Sequence, residues 1–342
     1  MKKMLLSSEK NFYKANLHCH TNLSDGALSP EEVKKVYKDM GYSVVAYTDH
    51  DLLIPHDELN DKSFLALHGF EMEINENQQY PGNPRIKTCH ICLIGIEPDN
   101  ITQPMFGTKY TYIGNSASNI PLVKRDMSLP DYERLYSADG ITDIMTRGRE
   151  AGFFVTYNHP TWSRETYAEY MNYHGMHAME IMNGGSFCIF YDEYNPRVYD
   201  DILSGGERIY CIGADDNHNH PRDGRMWDSG VAFTVINAES LDYRTVTRAL
   251  LDGDFYASEA PEIYELTYED GKIKIKTSHA DRIFCNFDIR KALGAFAKVE
   301  GKPICEAEFK IPEGAGWFRI TVTDEKGKHA CTNAYFLDEL EK

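Results

Sequence analysis

The chain has 342 residues, of which 42% are hydrophobic, so it is long enough to bury at least one large core. Its 53 acidic and 36 basic residues give a formal net charge of -17. No block of Lys or Arg interrupts this acidity, which argues against duplex nucleic acid and anionic lipid as partners. The same acidity suits ordinary solubility, and it also suits a protein that holds several divalent cations.

The N-terminal residues and the cysteines bear on location. The start, MKKMLLSSEKNFYK, has a short apolar patch, well below the core of about 7 to 15 apolar residues in a signal peptide. No later apolar run approaches the roughly 20 residues that span a bilayer. Eight cysteines are scattered without a disulfide framework. We therefore expect a cytoplasmic protein without membrane contact, in which Cys89 and Cys92 are buried strand residues rather than half of a zinc ribbon.

From residue 13 to about residue 259, short apolar strands alternate with helical patterns, which is typical of a parallel α/β architecture. Strands are predicted over residues 13–20, 42–49, 63–69, 88–96, 153–159, 177–183, 208–216 and 231–237. The run Ser29-Pro30-Glu31-Glu32 predicts a helix that starts with a capping box and ends near Gly41. Further helices are predicted over residues 141–151, 196–203 and 241–252.

Two segments depart from this alternation. Residues 97–140 are rich in Asn, Pro, Ser, Thr and Tyr, and their length predicts a lid over a functional site or a mobile segment. After Pro261 the pattern changes to alternating strands with tight turns, including an Asp270-Gly271 hairpin signal. The sequence thus predicts a large domain over 1–261 and a small all-β, sandwich-like domain over 262–342. The small domain is interpreted as a structural appendage or as a module that binds carbohydrate or protein.

Metal-ligand residues recur at the ends of the predicted strands. His18 and His20 alternate along one strand and therefore point the same way, and Asp25 follows in the next loop. Residues of the same kinds stand at equivalent points further along: His50, Glu71, His90, His159, Asp216 and His218. Because α/β proteins place active sites at the carboxyl edge of the sheet, we expect these residues to converge. Imidazole and carboxylate ligands favour Zn, Mn or Fe, and so many of them imply two or three ions.

Two further pairs flank these ligands. Asp49 and Asp51 bracket His50, and either orient it or lie in a solvated turn. Glu180 and Asn183 stand at the end of a predicted strand, where they would face the site if a barrel forms and would otherwise be structural.

In this order the motifs HCH, a following Asp, TDHD, GFE, CHI, NHP and DNH resemble those of the PHP (polymerase and histidinol phosphatase) family, over residues 16–220. The resemblance implies a distorted seven-stranded β/α barrel that hydrolyses phosphate esters with two or three metals. It implies one ion on His18, His20 and Asp216, a further one among Asp25, His50 and His218, a site completed by His90 and His159, and Glu71 as a bridge. Because Asp215 and Asp216 are adjacent, the register of the last motif stays open, with Asp216 favoured.

The resemblance leads to a mechanism in which a metal-bridging hydroxide attacks phosphorus, with Glu71, His50 and Asp216 assigned to catalysis. Away from the metals a phosphate needs guanidinium groups, and three arginines follow the metal motifs closely: Arg164, Arg222 and Arg225. We expect a small phosphorylated substrate, a phosphomonoester or a nucleotide. The sequence leaves open a metallohydrolase that acts on an amide or lactone, and a non-catalytic, metal-stabilised binding protein.

Overall fold

The structure, a computed structural model, describes residues 2–79, 82–220 and 227–341. Its strands are β1 Lys2–Leu6, β2 Asn11–Asn16, β3 Val44–Tyr47, β4 Leu65–Asn75, β5 Thr88–Gly95, β6 Phe153–Tyr157, β7 Ala178–Asn183, β8 Tyr210–Ala214, β9 Phe233–Ala238, β10 Phe255–Ser258, β11 Ile263–Glu269, β12 Lys272–Ala280, β13 Arg282–Phe287, β14 Ala292–Phe296, β15 Ile304–Lys310, β16 Trp317–Thr323, β17 His329–Thr332 and β18 Tyr335–Phe336. Its helices are α1 Pro30–Asp39, α2 Ser116–Asn119, α3 Ala138–Glu150, α4 Tyr167–Tyr170, α5 Gly184–Cys188, α6 Pro196–Ser204, α7 Tyr243–Asp252, α8 Ala297–Glu300 and α9 Leu337–Leu340. No helix within these ranges is long and apolar enough to cross a membrane.

Local capping chemistry explains where the predicted helices begin. The Glu32 backbone N–H donates to the Ser29 hydroxyl and the Ser29 N–H donates to the Glu32 carboxylate, so α1 starts with the predicted capping box. The helices α3, α6 and α7 lie where helical periodicity was predicted, with ends shifted by a few residues. Ser137 and Asp242 cap α3 and α7 by accepting backbone N–H groups in the first turn.

The main sheet runs through eight strands in the order β9-β2-β3-β4-β5-β6-β7-β8. Its strands β2 to β4 are parallel, and so are β6 to β8, but β5 is antiparallel to both of its neighbours and β9 is antiparallel to β2. The predicted parallel alternation is therefore wrong at β5 and β9. Because β5 runs the opposite way, its first residues lie at the same edge of the sheet as the last residues of the parallel strands.

The segments that follow β2 and β8 meet at one edge of the sheet, although the strand order ends at β9 and β8. The Asp216 N–H donates to the His18 carbonyl at 3.0 Å, and the His20 N–H donates to the Asn217 carbonyl at 3.1 Å. No regular ladder joins β8 to β9 or β2 in the described part of the chain. The structure thus confirms a mixed α/β architecture with a large sheet, whereas a closed barrel of seven strands is not shown.

The strands after Pro261 belong to two sheets. One joins β11, β12 and β15 to the N-terminal β1, and the other adds β14, β13, β16 and β17 to the main sheet through β10. Asp270 and Gly271, with φ of 49° and 74°, make the turn between β11 and β12 that the sequence predicts. Strand pairing therefore crosses the predicted boundary at residues 261 and 262 in two places, and the division into two domains stays a prediction.

Residues 97–140, predicted to form a lid, are an irregular segment that packs on the loops after β2 and β3. The Ser116 hydroxyl donates to the His50 carbonyl at 3.0 Å. Buried Arg134 pairs with the Asp51 carboxylate and donates to the Glu73 carbonyl at 2.8 Å. These contacts place the segment beside the predicted ligands, and its opening and closing stay a prediction.

Candidate metal centre

The structure brings the predicted ligands together at one edge of the main sheet. Four groups of side chains have ligand atoms within 4.8 Å of one another: His20, Asp25, His50 and His218; His18, His159 and Asp216; Glu71, His90 and His159; His18, Glu71 and Cys92. The groups share members, so they form one continuous cluster rather than separate sites.

Glu71 lies at the centre of the cluster and is 1% exposed. Its Oε1 lies 3.1 Å from both His18 Nε2 and His90 Nδ1. Its Oε2 lies 3.2 Å from His50 Nδ1 and 3.4 Å from His20 Nε2. The sequence predicted a strand over residues 63–69 with Glu71 just beyond it, but β4 continues to Asn75, so Glu71 projects from the middle of a strand. A carboxylate whose two oxygens face different imidazoles is suited to join two ion sites.

His18 and His20 extend from the end of β2 toward the cluster. The Nδ1 atom of His18 lies 2.8 Å from the Glu180 carboxylate, so Nδ1–H can donate there and Nε2 faces the other ligands. The Asp216 carboxylate lies 3.3 Å from His18 Nε2, and the Nε2 atom of His20 lies 3.0 Å from the same His18 nitrogen. Cys19, between the two histidines, packs into the apolar core instead. The alternation that the sequence predicts for this strand end is present.

The Asp25 carboxylate lies near a second set of imidazoles. Its Oδ2 lies 3.4 Å from His218 Nε2 and 3.8 Å from His50 Nε2, and its Oδ1 lies 3.7 Å from His20 Nδ1. His20 therefore lies between the Asp25 set and His18, whereas the family resemblance implied His20 on one ion with His18 and Asp216. The loop holds this shape because the Asp49 carboxylate accepts N–H and O–H groups of residues 21 and 24.

The adjacent residues Asp215 and Asp216 face opposite directions. The Asp216 carboxylate points into the cluster, 3.1 Å from His20 Nε2, on a residue whose φ is 51°. The Asp215 carboxylate accepts the backbone N–H groups of residues 230, 231 and 232 at 2.7 to 2.9 Å, and it also accepts the Tyr37 hydroxyl. The geometry therefore favours Asp216 as the ligand and gives Asp215 a structural role.

Several residues that sequence reasoning did not single out surround the ligands. Asn158 donates to the Glu71 carboxylate at 3.0 Å, and the Ser163 hydroxyl lies 3.2 Å from His159 Nδ1. Glu73 approaches His90 Nε2 at 3.8 Å. Strand alternation could have identified Glu73, because it lies two residues after Glu71 and thus on the same face of a longer strand. Nothing in the local sequence identifies Asn158 or Ser163.

The carboxylates dominate the electrostatics of the cluster. Burial alone would lower the pKa of His90, but the carboxylates of Glu71 and Glu73 raise it to about 10. Burial is likewise outweighed at His18, where Asp216 and other anionic neighbours hold the pKa well above its usual value. At His50 burial prevails and lowers the pKa to about 4. Protons accumulate where the local potential is negative, and divalent cations are attracted to the same potential.

Ring nitrogens that lack a hydrogen bond test whether these residues fit a metal. His20 Nδ1, His50 Nδ1 and His90 Nε2 are buried without a hydrogen bond, although a carboxylate oxygen lies 3.2 to 3.8 Å from each. Buried polar atoms are normally satisfied, so such a cluster of exceptions needs an explanation. Neutral imidazole nitrogens beside carboxylates are the donor set of Zn, Mn and Fe sites, and the residues present therefore fit divalent ions.

The two predicted flanking pairs have distinct surroundings. Glu180 accepts the His159 backbone N–H at 3.0 Å in addition to contacting His18, and Asn183 donates to Glu180 at 2.8 Å. Asp49 holds the loop before Asp25, and Asp51 is directed toward Arg134 rather than His50. Glu180 thus supports two ligands, whereas Asp51 anchors the predicted lid segment.

The cluster opens into a cavity of about 420 Å³, within the usual range for a small-molecule site. Beyond the ligands its wall includes Tyr112, Ile113, Trp162 and Ile189. Arg164 has an exposed side chain and is not among the described lining residues. Arg222 and Arg225, the other predicted substrate contacts, lie outside the described residues.

Comparisons with known proteins give structural likeness but no family match. No family model and no curated protein sequence matches the chain. A two-domain protein from Bacteroides vulgatus, containing a predicted PHP-like metal-dependent phosphoesterase, has 15% identity and a TM-score of 0.44 over 95% of this chain and 96% of its own.

Two further solved structures match the larger part of the chain. One is a protein from Bifidobacterium adolescentis that is described as a metal-dependent phosphoesterase. It has 15% identity and a TM-score of 0.37 over 63% of this chain and 92% of its own. An amidohydrolase from Chromobacterium violaceum, solved with sulfate and without metal, has 16% identity and a TM-score of 0.37 over 60% and 87%. At TM-scores below 0.5, the case for the site depends on its own geometry.

Proposed function

We propose that this chain is a metal-dependent hydrolase of small phosphate esters, phosphomonoesters or nucleotides. The observation that carries the proposal is the single buried cluster of imidazoles and carboxylates around Glu71, which forms the floor of a cavity of small-molecule size. The family that the sequence motifs resemble implies the same reaction, and the similar structures, with TM-scores below 0.5, add no argument to it.

In this proposal different groups of ligands would hold different ions. One ion would be held by Asp25, His50, His218 and His20, and further ions by the two groups that share His159. Bound divalent ions supply a Lewis acid for the phosphoryl oxygens and make water a nucleophile at neutral pH. Glu71 keeps the sets at fixed separation, because each of its oxygens faces a different pair of imidazoles.

Part of the cavity wall is aromatic or aliphatic and suits an uncharged leaving group, beside polar lining residues that include Ser186, His220 and Asp228. Tyr112 and Trp162 add aromatic surface to the wall, and Ile113 and Ile189 add aliphatic surface. The Tyr112 hydroxyl is held by the Glu73 carboxylate, which fixes the ring at the cavity. A sugar, an aryl group or a base can pack on such a wall, while the phosphoryl group is directed to the ligand cluster.

The test couples metal content to activity on one sample. Protein supplemented with Zn, Mn or Fe is measured by inductively coupled plasma mass spectrometry and then assayed for phosphate release from phosphomonoesters and nucleotides. The expected result is two or three ions per chain with release that a chelator abolishes. Metal-loaded protein that hydrolyses an amide or lactone but no phosphate ester would support the alternative metallohydrolase. Less than one ion per chain, with no hydrolysis of either bond, would contradict the proposal.

A further inference from the structure

The loop after β6, residues 159–164, has an unusual backbone. His159 has a φ of 26° and Arg164 has a φ of 64°, both in the left-handed region that non-glycine residues seldom occupy. Between them the Ser163 N–H donates to the His159 carbonyl at 3.1 Å, which closes a tight turn. Strained conformations of this kind persist only where the surroundings hold them, and they occur preferentially at functional sites.

Buried carboxylates accept the backbone N–H groups of this turn from residue 159 to residue 162. Glu180 accepts the His159 N–H at 3.0 Å. Glu193 accepts the Thr161 N–H at 2.9 Å on Oε1 and the Trp162 N–H at 2.8 Å on Oε2. Pro160 has no N–H to donate. The backbone of the turn is therefore held by two side chains from the next strand and the next loop.

Glu193 is itself firmly placed, and its residue is 3% exposed. Its Oε1 also accepts the Asn195 side-chain amide at 2.7 Å, and its backbone carbonyl accepts the Asn183 N–H at 3.2 Å. The next residue, Tyr194, stacks on His329 of β17 with ring centroids 4.3 Å apart. Glu193 thus connects the turn beside the metal cluster to the C-terminal strands.

Trp162 is the side chain that this turn presents to the cavity. Its indole packs edge-on against the imidazoles of His90 and His159, with centroids 5.2 and 4.9 Å apart. It lines the same cavity into which the ligand cluster opens. Any shift of the turn would move the indole relative to His90, which lies on β5.

We infer that Glu193 is a positioning residue: by accepting the backbone N–H groups of Thr161 and Trp162, it holds the Trp162 indole as the wall against which the leaving group of the substrate packs. The part concerning substrate rests on the proposed phosphoesterase function, whereas the placement of Trp162 does not. The side chain must be a carboxylate, because both oxygens accept N–H groups. Glutamine has one acceptor oxygen and would present an N–H group to a donor.

The placement is tested by fluorine NMR on the full chain labelled with 5-fluorotryptophan. The chain has three tryptophans, so Trp162→Phe assigns the Trp162 signal by its loss. In Glu193→Gln we expect the Trp162 signal to shift or broaden while the signals of Trp227 and Trp317 stay in place. Exposed Glu239→Gln is the control and should move none of them. An unchanged Trp162 signal in Glu193→Gln would overturn the inference.

Kinetics with p-nitrophenyl phosphate test the link to substrate. Glu193→Gln should raise KM by roughly three- to tenfold, as expected for a weakened aromatic contact, with kcat changed less than about twofold. In a Trp162→Ala background the same substitution should add no further increase in KM, because its effect passes through the indole. An equal increase in that background would overturn the role for Trp162.

Two safeguards keep the outcomes distinct. If Glu193→Gln does not fold, Glu193→Asp retains the carboxylate with a shorter reach, and a smaller shift of the same Trp162 signal is expected, while none would contradict the inference. If wild-type protein releases no phosphate, the proposed function fails, and the NMR experiment still decides whether Glu193 positions Trp162.

Discussion

Two regions of this chain bury very different side chains. At the edge of the main sheet the buried positions hold histidines, carboxylates and asparagines, whereas β12, β13 and β16 bury mainly apolar residues such as Ile273, Ile283 and Phe318. The candidate ligand groups among the described residues all come from strands of the main sheet or from the loops beside its edge. Burying titratable groups costs stability unless they are paired or bind ions. The first region therefore fits the proposed chemistry, whereas the role of the C-terminal strands, as an appendage or a binding module, stays a prediction.

The comparison also separates buried acids from one another. Glu71 and Asp216 face several imidazoles, Asp215 faces backbone N–H groups, and Glu165 faces tyrosine hydroxyls. Burial alone does not make an acid a ligand. The partners of each carboxylate decide whether it can bind a cation, holds a loop in place or keeps its proton up to about neutral pH.

The largest expected effect is on activity at the centre of the first region. Replacing Glu71 with Ala removes the carboxylate shared by the ligand groups and should lower phosphate release by more than about 10²-fold, beyond the usual loss for an outer-shell partner. Metal content measured on the same protein should also fall. The control is Glu76→Ala, at an exposed residue that directly follows β4. Full metal content and turnover in Glu71→Ala would remove Glu71 from the site.

The next largest effect is expected in the C-terminal strands, where a substitution should lower the free energy of unfolding and leave activity unchanged. Phe318 is 0% exposed between the C-terminal sheets, and Phe318→Ala should lower the free energy of unfolding by about 3–5 kcal/mol. Turnover per folded molecule should stay unchanged. Urea unfolding measures the first quantity, and the half-exposed Phe296→Ala is the control, with little expected loss. A loss of turnover in folded Phe318→Ala would show that the C-terminal strands contribute to the site.

Glu165 gives a pH-dependent effect within the main sheet. Burial raises the pKa of Glu165 to about 7, even though Tyr136, Tyr157 and Tyr173 donate to it. A raised pKa means that the folded state binds the proton more tightly than the unfolded state. The stability from this group is therefore present below its unfolded pKa near 4.5 and is lost as pH rises through about 7.

The corresponding experiment compares urea unfolding of wild type and Glu165→Gln between pH 5 and pH 8. The neutral glutamine should flatten the decrease with pH, by up to about 3 kcal/mol over the window. Metal content should be the same in both proteins. Parallel pH profiles would show that Glu165 is not the titrating group.

The smallest effect is expected at Arg164. From the sequence, Arg164→Ala should raise KM more than it lowers kcat if the guanidinium holds substrate. Because the side chain is exposed and is not among the described cavity residues, we expect the change in KM to stay within about threefold. Steady-state kinetics on one phosphomonoester decides this. An increase above tenfold with constant kcat would restore Arg164 as a substrate contact.

The sequence by itself determined the features that depend on neighbouring residues. Alternation along one strand places His18 and His20 on the same face, the Ser29 and Glu32 pair starts α1, and Asp270-Gly271 forms a hairpin turn. The nine candidate ligands named from the sequence were also predictable, because the residue types recur at successive strand ends, whereas Cys92, which belongs to one of the ligand groups, was expected only as a buried strand residue. These are local signals, and they need no knowledge of which strands become neighbours.

Only the tertiary structure decided the features that depend on long-range pairing. The reversed direction of β5 brings His90 beside Glu71, and the length of β4 places Glu71 inside a strand rather than at its end. The surroundings turn Asp216 into the ligand cluster and Asp215 away from it, and they bring Glu193 to a turn some thirty residues earlier in the chain. Such contacts join segments far apart in sequence, and they form because buried backbone N–H groups and carboxylates must find partners wherever the packed chain provides them.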